Sequence, residues 1–319
     1  MKLLVTGGCG FIGSHFIRYI LQMYPQYKII NIDNLCYAGN LENLRDVEKN
    51  KDYRFVKGDI RNFALAKRLM KGTDIVINFA AQTHVDRSIK SAKDFIETNI
   101  NGVYTLLEAA RSSDLKLFVQ ISTDEVYGSI SEGSFMETDS LFPSSPYSAS
   151  KAGADVLCHA YGLTYKIPII VTRSVNNFGP CQYPEKIIPL FVTNILEKKK
   201  VPLYGDGLNV RDWIYVLDNV RAIDFLLHQG KTGEIYNISV GNEIANIDLT
   251  NIILKKFNLD DSWIKPVVDR PAHDRRYSLD FSKLHSLGWK PLYDFSSSLD
   301  ATIDWYKKNK KWWKKLKKS

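Results

Sequence analysis

The chain has 319 residues, 45% of them hydrophobic, and no low-complexity stretch, which excludes a disordered chain and fits one large core or two smaller ones. No apolar run approaches the ~18 residues of a spanning helix, the opening residues lack the length and cleavage region of a signal peptide, and four scattered cysteines (Cys9, Cys36, Cys158, Cys181) form no Cys-x-x-Cys pair, so a reducing cytoplasm is expected and neither a disulfide framework nor a metal site is. The net charge of +8 is local: eight lysines and no acid fall in residues 307–319, which reads as a solvated, fraying basic end, with weak attraction to anionic surfaces as the alternative.

Residues 2–6 form a short apolar run that stops at a glycine loop, and a helical pattern follows over 12–24. Residues 28–32 form a second run and 74–80 a third, with a shorter apolar stretch at 54–56 between them. Residues 117–122 and 168–173 give a fourth and a fifth. These runs are continuously apolar, as strands covered on both faces should be. Residues 95–112 carry Ile96, Ile100, Val103, Leu106 and Leu107 on one stripe, and 147–165 is a third helix. Strand–helix alternation predicts an α/β fold with a doubly wound parallel (Rossmann) sheet over residues 1–175. Beyond 176 the alternation weakens and turn formers gather at 178–180, 204–207 and 270–272. Residues 176–319 are therefore read as a smaller α+β substrate lobe, with some segments interleaved with the first domain.

Gly7, Gly10 and Gly13 make a G-x-x-G-x-x-G spacing between strand and helix, the context in which glycines let a backbone approach a pyrophosphate at a helix N-terminus. Asp33 closes the second strand, where a carboxylate accepts ribose hydroxyls and repels a 2′-phosphate, so NAD is expected over NADP. Gly58-Asp59-Ile60 is placed at the adenine, and the small residues of Phe79-Ala80-Ala81-Gln82-Thr83 let the backbone come close to the same ligand.

Tyr-x-x-x-Lys occurs four times in the chain and is uninformative alone. Only Tyr147/Lys151 opens a helix between the fourth and fifth strands, with both side chains on one face. An ammonium beside the phenol is expected to lower a pKa that is ordinarily ~10, fitting Tyr147 to take a proton from a sugar hydroxyl. Thr123, Asp124 and Glu125 follow the fourth strand at the same crevice. Two adjacent carboxylates there can divide into acid and base if their surroundings push their pKa values apart.

These motifs, together with YAGN (37–40), THVDRSI (83–89), SSPYSASK (144–151), PEKIIPL (184–190), YGDGLNVRDW (204–213), YNISVGNE (236–243) and HDRRY (273–277), resemble the extended short-chain dehydrogenase/reductases nearly end to end, and within them the nucleotide-sugar 4,6-dehydratases acting on dTDP-glucose. The ending Trp305-Tyr-x-x-Asn-x-x-Trp-Trp313 is also like theirs, which makes those tryptophans packing residues. The resemblance implies that Tyr147 is the base for oxidation at C4, that Lys151 fixes the ribose, and that Thr123 hydrogen-bonds the C4 oxygen. Glu125 then removes the C5 proton and Asp124 protonates the departing C6 hydroxyl, giving a 4-keto-6-deoxy sugar nucleotide. It implies an NAD site of Gly7, Gly10, Phe11, Ile12, Gly13, Asp33, Asn34, Leu35, Cys36, Asp59, Ile60, Phe79, Ala80, Ala81, Thr83, Thr98, Tyr147, Lys151 and Asn177. For the substrate it implies Thr83, Thr123, Asn176, Lys186, Ile187, Pro202, Leu203, Tyr204, Arg211, Asn242, His273, Asp274, Arg275, Arg276 and Tyr277, with arginines holding the diphosphate. It further implies a homodimer through the helices at 95–112 and 147–165, with no nucleic-acid or membrane partner and no metal. Departures from the family pattern at Cys36, Ser174, Val175, Phe178 and Ala272 leave UDP-glucose or another nucleotide sugar open as the substrate. A non-catalytic NAD-binding regulator on this fold is the alternative of a different class.

Overall fold

The computed structural model describes residues 1–317; Lys318 and Ser319, part of the basic end, lie outside the described residues. The strands among those residues are β1 (Lys2–Thr6), β2 (Lys28–Asp33), β3 (Tyr53–Lys57), β4 (Ile75–Asn78), β5 (Leu117–Thr123), β6 (Ile169–Ser174), β7 (Asn176–Phe178), β8 (Val201–Tyr204), β9 (Val210–Tyr215), β10 (Ile235–Ile238), β11 (Glu243–Ala245) and β12 (Ile264–Val267). Seven of them form one parallel sheet in the order β10-β6-β5-β4-β1-β2-β3. The chain leaves β1 toward β2 on one side and returns to β4 on the other, so a crevice opens beyond their carboxyl ends.

The helices that cover this sheet are α1 (Phe11–Met23), α2 (Phe63–Met70), the short α3 (Val85–Lys90), α4 (residues 93–110) and α5 (Pro146–Tyr165). β4 and β5 are buried along their whole length. On one face Leu3, Val5, Ile77 and Val119 pack on Phe16, Ile17 and Ile20 of α1. On the other, Leu4, Val76 and Phe118 pack on Leu69, Val103, Leu106, Ala154 and Cys158. Continuous apolar runs are what a sheet covered in this way requires.

The second lobe holds α6 (Ile187–Leu196), α7 (Val216–Gln229), α8 (Asn246–Lys256), α9 (Ser282–Ser286), α10 (Phe295–Lys308) and α11 (Lys310–Leu316), with a β11-β9-β7 sheet and a β12-β8 pair. Its core joins Phe178, Phe191, Trp213, Leu249, Leu299, Tyr306 and Trp313. The chain does not part once at residue 175. Val220, Ile223 and Leu226 of α7 join the core formed with α1, and β10 extends the main sheet beside β6.

Two local expectations are corrected. The stripe over 95–112 is not one regular α-helix: α4 is π-helical over Ile96–Asn101. The wide turn leaves Ile96 47% exposed and buries Asn99. As far as Lys317, the last described residue, the basic end is helical and packed rather than frayed. Trp313 is fully buried and its Nε1–H donates to the Tyr306 carbonyl at 2.8 Å. Lys315 pairs with Glu42 at 2.9 Å and Lys317 with Glu197 at 3.0 Å. Burial of two indoles outweighs the ordering of lysines whose stems lie along the protein and whose heads stay near water. No helix among the described residues is long and apolar enough to cross a membrane.

Candidate active site

A cleft runs across the carboxyl ends of β1, β2, β4 and β5. Its floor is the glycine loop. Gly7 has φ +66°, and a Cβ there would lie 2.6 Å from Ala80 N; one at Gly13 would lie 2.7 Å from the Gly7 carbonyl. Side chains are thus excluded where loop, helix and β4 meet. α1 begins at Gly10 with no side-chain cap and no acid in its first turn, so its N–H groups and positive dipole end are left for an anion.

Asp33 ends β2. Its Oδ2 accepts the Cys9 N–H at 2.9 Å and its Oδ1 the Leu35 N–H at 2.8 Å. Burial raises its pKa, and those two bonds oppose the rise. Asp59 is held by Arg61 and by Asn34 Nδ2, the latter at 3.3 Å, which keeps its carboxyl below the usual range. The inward Asn99 joins three segments: its Oδ1 accepts the Gln82 N–H at 2.8 Å, and its Nδ2 donates to the Gln82 carbonyl at 3.0 Å and to Ser150 Oγ at 2.8 Å. Of the expected NAD residues, all but Leu35 line the cleft, and Leu35 contributes its N–H to Asp33. The polar groups fit a dinucleotide: the N–H donors of an uncapped helix start, the Asp33 carboxylate as acceptor, and Asn177, whose buried Oδ1 has no partner.

Thr123, Asp124, Glu125, Tyr147 and Lys151 converge on the same cleft. β5 ends in a tight turn, Asp124–Val126, in which Thr123 Oγ1 accepts the Glu125 N–H at 3.3 Å and donates to Asp124 Oδ1 at 3.1 Å. Asp124 is 3% exposed and its Oδ2 has no partner. Burial, aided by the Glu125 charge, pushes its pKa up to about 8. Glu125 is half-buried and also raised by burial, but Arg270, Lys186 and Arg211 oppose the rise. The two neighbours therefore sit in different fields, one neutral-favouring and one faced by three cations.

α5 opens with Ser145 and Ser148 in a reciprocal cap, which sets Tyr147 in its first turn. Lys151 Nζ donates to the Ile121 carbonyl at 2.5 Å. The expected lowering of the Tyr147 pKa is corrected here. Burial and the Glu125 charge raise it, and a Thr123 hydrogen bond opposes. Lys151 is itself pushed down by burial, with Asp155 holding its proton. Desolvation of both groups is the larger force in this site.

Among the expected substrate residues, Thr83, Thr123, Asn176 and Lys186 line the cleft, with Lys186 Nζ donating to the Thr83 carbonyl at 3.1 Å. Ile187 starts α6, and Pro202, Leu203 and Tyr204 belong to β8. Arg211 lies on the Tyr277 ring at 4.1 Å and donates to the Asp274 carbonyl at 2.9 Å, while the Tyr277 hydroxyl donates to Asp274 Oδ2 at 2.6 Å. Asn242 Nδ2 donates to the Trp213 carbonyl at 3.5 Å, and His273 pairs with Asp269 at 2.6 Å. Arg275 and Arg276 do not line the cleft; their guanidiniums are engaged by Asp206 and Glu243. Residues that the sequence reading passed over do face the site. Tyr37, Gln182 and Tyr183 line it, and Arg270, read only as part of a turn, is the foremost cation on Glu125 and has a buried Nε without a partner. The aromatic residue within YAGN and the arginine before Pro271 were the available signals.

The family profile described as GDP-mannose 4,6 dehydratase matches residues 4–302. A dTDP-glucose 4,6-dehydratase of Streptomyces antibioticus is 48% identical over all of this chain and 96% of its own length. The low-salt glycan biosynthesis protein Agl12 of Haloferax volcanii is 47% identical over 96% of this chain and 98% of its own. The crystal structure of DesIV, a dTDP-glucose 4,6-dehydratase of Streptomyces venezuelae with NAD and TYD bound, superimposes with a TM-score of 0.97 at 48% identity, covering 99% of this chain and 100% of that one. With that profile matched over nearly its full length and these relatives aligned end to end, the chain belongs to the GDP-mannose 4,6 dehydratase family, in the branch of the dTDP-glucose 4,6-dehydratases.

Proposed function

We propose that this chain is an NAD-dependent hydro-lyase that converts dTDP-glucose to dTDP-4-keto-6-deoxy-glucose. The observation that carries the reading is the split pair Asp124/Glu125 beside Tyr147 and Lys151 in a dinucleotide cleft. Bound NAD, on the glycine loop, Asp33, Asp59 and Lys151, supplies the hydride acceptor at C4 and the donor at C6. Thr123 and Tyr147 meet the C4 hydroxyl, and Tyr147 takes its proton. The C4 ketone then acidifies C5–H. Glu125, whose rise from burial is opposed by Arg270, Lys186 and Arg211, removes that proton. Asp124, protonated at neutral pH, gives its proton to the C6 hydroxyl, and water leaves; when hydride reaches C6, Glu125 returns its proton to C5. The four acid–base residues argue against a regulator that merely binds NAD. Incubation with dTDP-glucose and, separately, UDP-glucose tests the assignment: the alkali-induced chromophore of a 4-keto sugar is expected with dTDP-glucose. The chromophore with UDP-glucose alone would reassign the substrate, and none with either would refute the enzyme.

The working unit is read as a homodimer. Ile96 and Tyr104 of α4 and Val156 and Leu163 of α5 are large apolar side chains left between 47% and 60% exposed on adjacent helices. Pairing two copies of this face across a two-fold axis makes a four-helix bundle. Light scattering should give twice 36.5 kDa; a stable monomer at micromolar concentration would refute the dimer. The unpaired cysteines, three of them buried, support a reducing cytoplasm.

A further inference from the structure

The last helix reaches the glycine loop through one buried asparagine. Trp312 in α11 donates its Nε1–H to Asn43 Oδ1 at 2.9 Å. Asn43 is 1% exposed, and its Nδ2 donates to the Cys9 carbonyl at 2.9 Å. That carbonyl belongs to the peptide joining Cys9 to Gly10, the residue from which α1 starts. The Asn40 N–H donates to the same oxygen at 3.1 Å, and the Cys9 N–H is held by Asp33. The peptide that aims the helix N-terminus into the cleft is thus fixed from residue 312.

The same pair of helices grips the opposite wall. The Tyr306 hydroxyl of α10 donates to the Gln182 carbonyl, and the Tyr183 hydroxyl donates to the Leu316 carbonyl at 3.2 Å. Gln182 Nε2 donates onward to the Asn177 carbonyl at 2.8 Å. Asn177, Gln182 and Tyr183 all line the cleft. Packing alone does not require such contacts: Trp213 and Trp289 are as deeply buried, and their Nε1 atoms have no partner.

We infer that α11 is a clasp on the cofactor cleft, and that Trp312 and Asn43 are positioning residues which set how long NAD stays bound. This rests on the NAD reading above. The proposed reaction takes a hydride and gives it back within one turnover, so a site that lets its dinucleotide go early would strand the oxidised sugar.

Trp312→Phe keeps a ring in the slot and deletes the N–H; Asn43→Leu deletes both bonds at similar volume. The test measures exchange of bound NAD against excess labelled NAD, with dTDP binding and thermal melting as controls. Trp312→Phe should exchange NAD roughly five- to tenfold faster, the effect of one lost buried hydrogen bond, and Asn43→Leu, which loses two, at least as fast. The double variant should be no faster than Asn43→Leu alone, because both act through one relay, and dTDP affinity should stay within about twofold. Exchange at the wild-type rate in folded variants, even with a lowered melting temperature, would overturn the clasp. So would effects that simply multiply in the double variant, which is the behaviour of two independent packing defects. A wild-type protein that holds no NAD would overturn the cofactor reading and the clasp with it.

Discussion

The cofactor-facing and sugar-facing halves of the cleft hold their polar groups by different means. On the cofactor side the groups are backbone N–H donors at a helix start and side chains fixed mostly by uncharged neighbours: Asp33 by two amides, Lys151 by a carbonyl and Asn99 by three bonds to Gln82 and Ser150, with Asp59 held by the adjacent Arg61. On the sugar side the chemistry depends on charges brought from far along the chain. Glu125 is faced by Arg270, Lys186 and Arg211, which oppose the rise that burial gives its carboxyl, while Asp124, one residue away, is pushed up by burial and by the Glu125 charge, and its Oδ2 has no partner. The glycine loop and Asp33 of the first half are set by local folding around β1 and β2, with α11 bracing the loop from far along the chain. The charges facing Glu125 come together only when the two lobes are assembled, so reactivity here depends on domain packing more than recognition of the cofactor does.

The sharpest way to break this division is to remove a group at the junction. Tyr147→Phe should abolish the first step, with turnover falling roughly 10⁴-fold, the upper end for a lost acid–base group. A single-turnover trace with dTDP-glucose should show no reduced-nicotinamide absorbance; accumulation at the wild-type rate would assign the base elsewhere. The two carboxylates should then fail differently. Glu125→Gln leaves Tyr147 and Lys151 in place, so the same trace should show absorbance that builds and stays. Asp124→Asn should slow elimination by roughly 10²–10³-fold. Because the acid form of Asp124 is needed and its pKa is about 8, wild-type turnover should decline as pH rises through about 8, a limb the asparagine variant should lack. An unchanged alkaline limb in Asp124→Asn would remove Asp124 from the mechanism.

Arg270→Gln probes the sugar half alone. It removes the foremost cation on Glu125, so Glu125 should bind its proton more tightly and the acidic limb of the rate profile should move upward. A loss that is greater at acidic than at alkaline pH is expected, with NAD affinity unchanged. A loss that is the same at every pH would mean that Arg270 only binds substrate. The smallest effect should come from the basic end. Lys315→Ala removes one exposed pair, with Glu42, worth about 0–1 kcal/mol, so turnover should stay within about twofold and melting should shift by no more than about 4 °C.

Much of the cofactor half was legible because its requirements are local. Glycine spacing, a terminal Asp33 and apolar runs each state a backbone need within a few residues. The Tyr147/Lys151 pair was legible once a strand-to-helix position distinguished it from three other Tyr-x-x-x-Lys pairs. The π-helical turn was not, because Ile96 and Ile100 keep a plausible 3.6-residue spacing while the backbone widens to bring Asn99 inward. Arg270 stood in a turn-rich stretch, and nothing local links it to a carboxylate at Glu125. The field at Tyr147 was misjudged for a related reason: a neighbouring lysine can be read from the sequence, but the depth at which both groups are desolvated cannot.

The bond from Trp312 to Asn43 joins residues 269 positions apart. At the 5–20 residues per second of synthesis, Asn43 is made roughly 15–50 s before its partner. The nucleotide half of the protein has its strands early, yet one of the struts beneath its glycine loop comes 269 residues after the asparagine it holds. A nascent chain would therefore carry a recognisable but unbraced dinucleotide fold until residue 312 has been made.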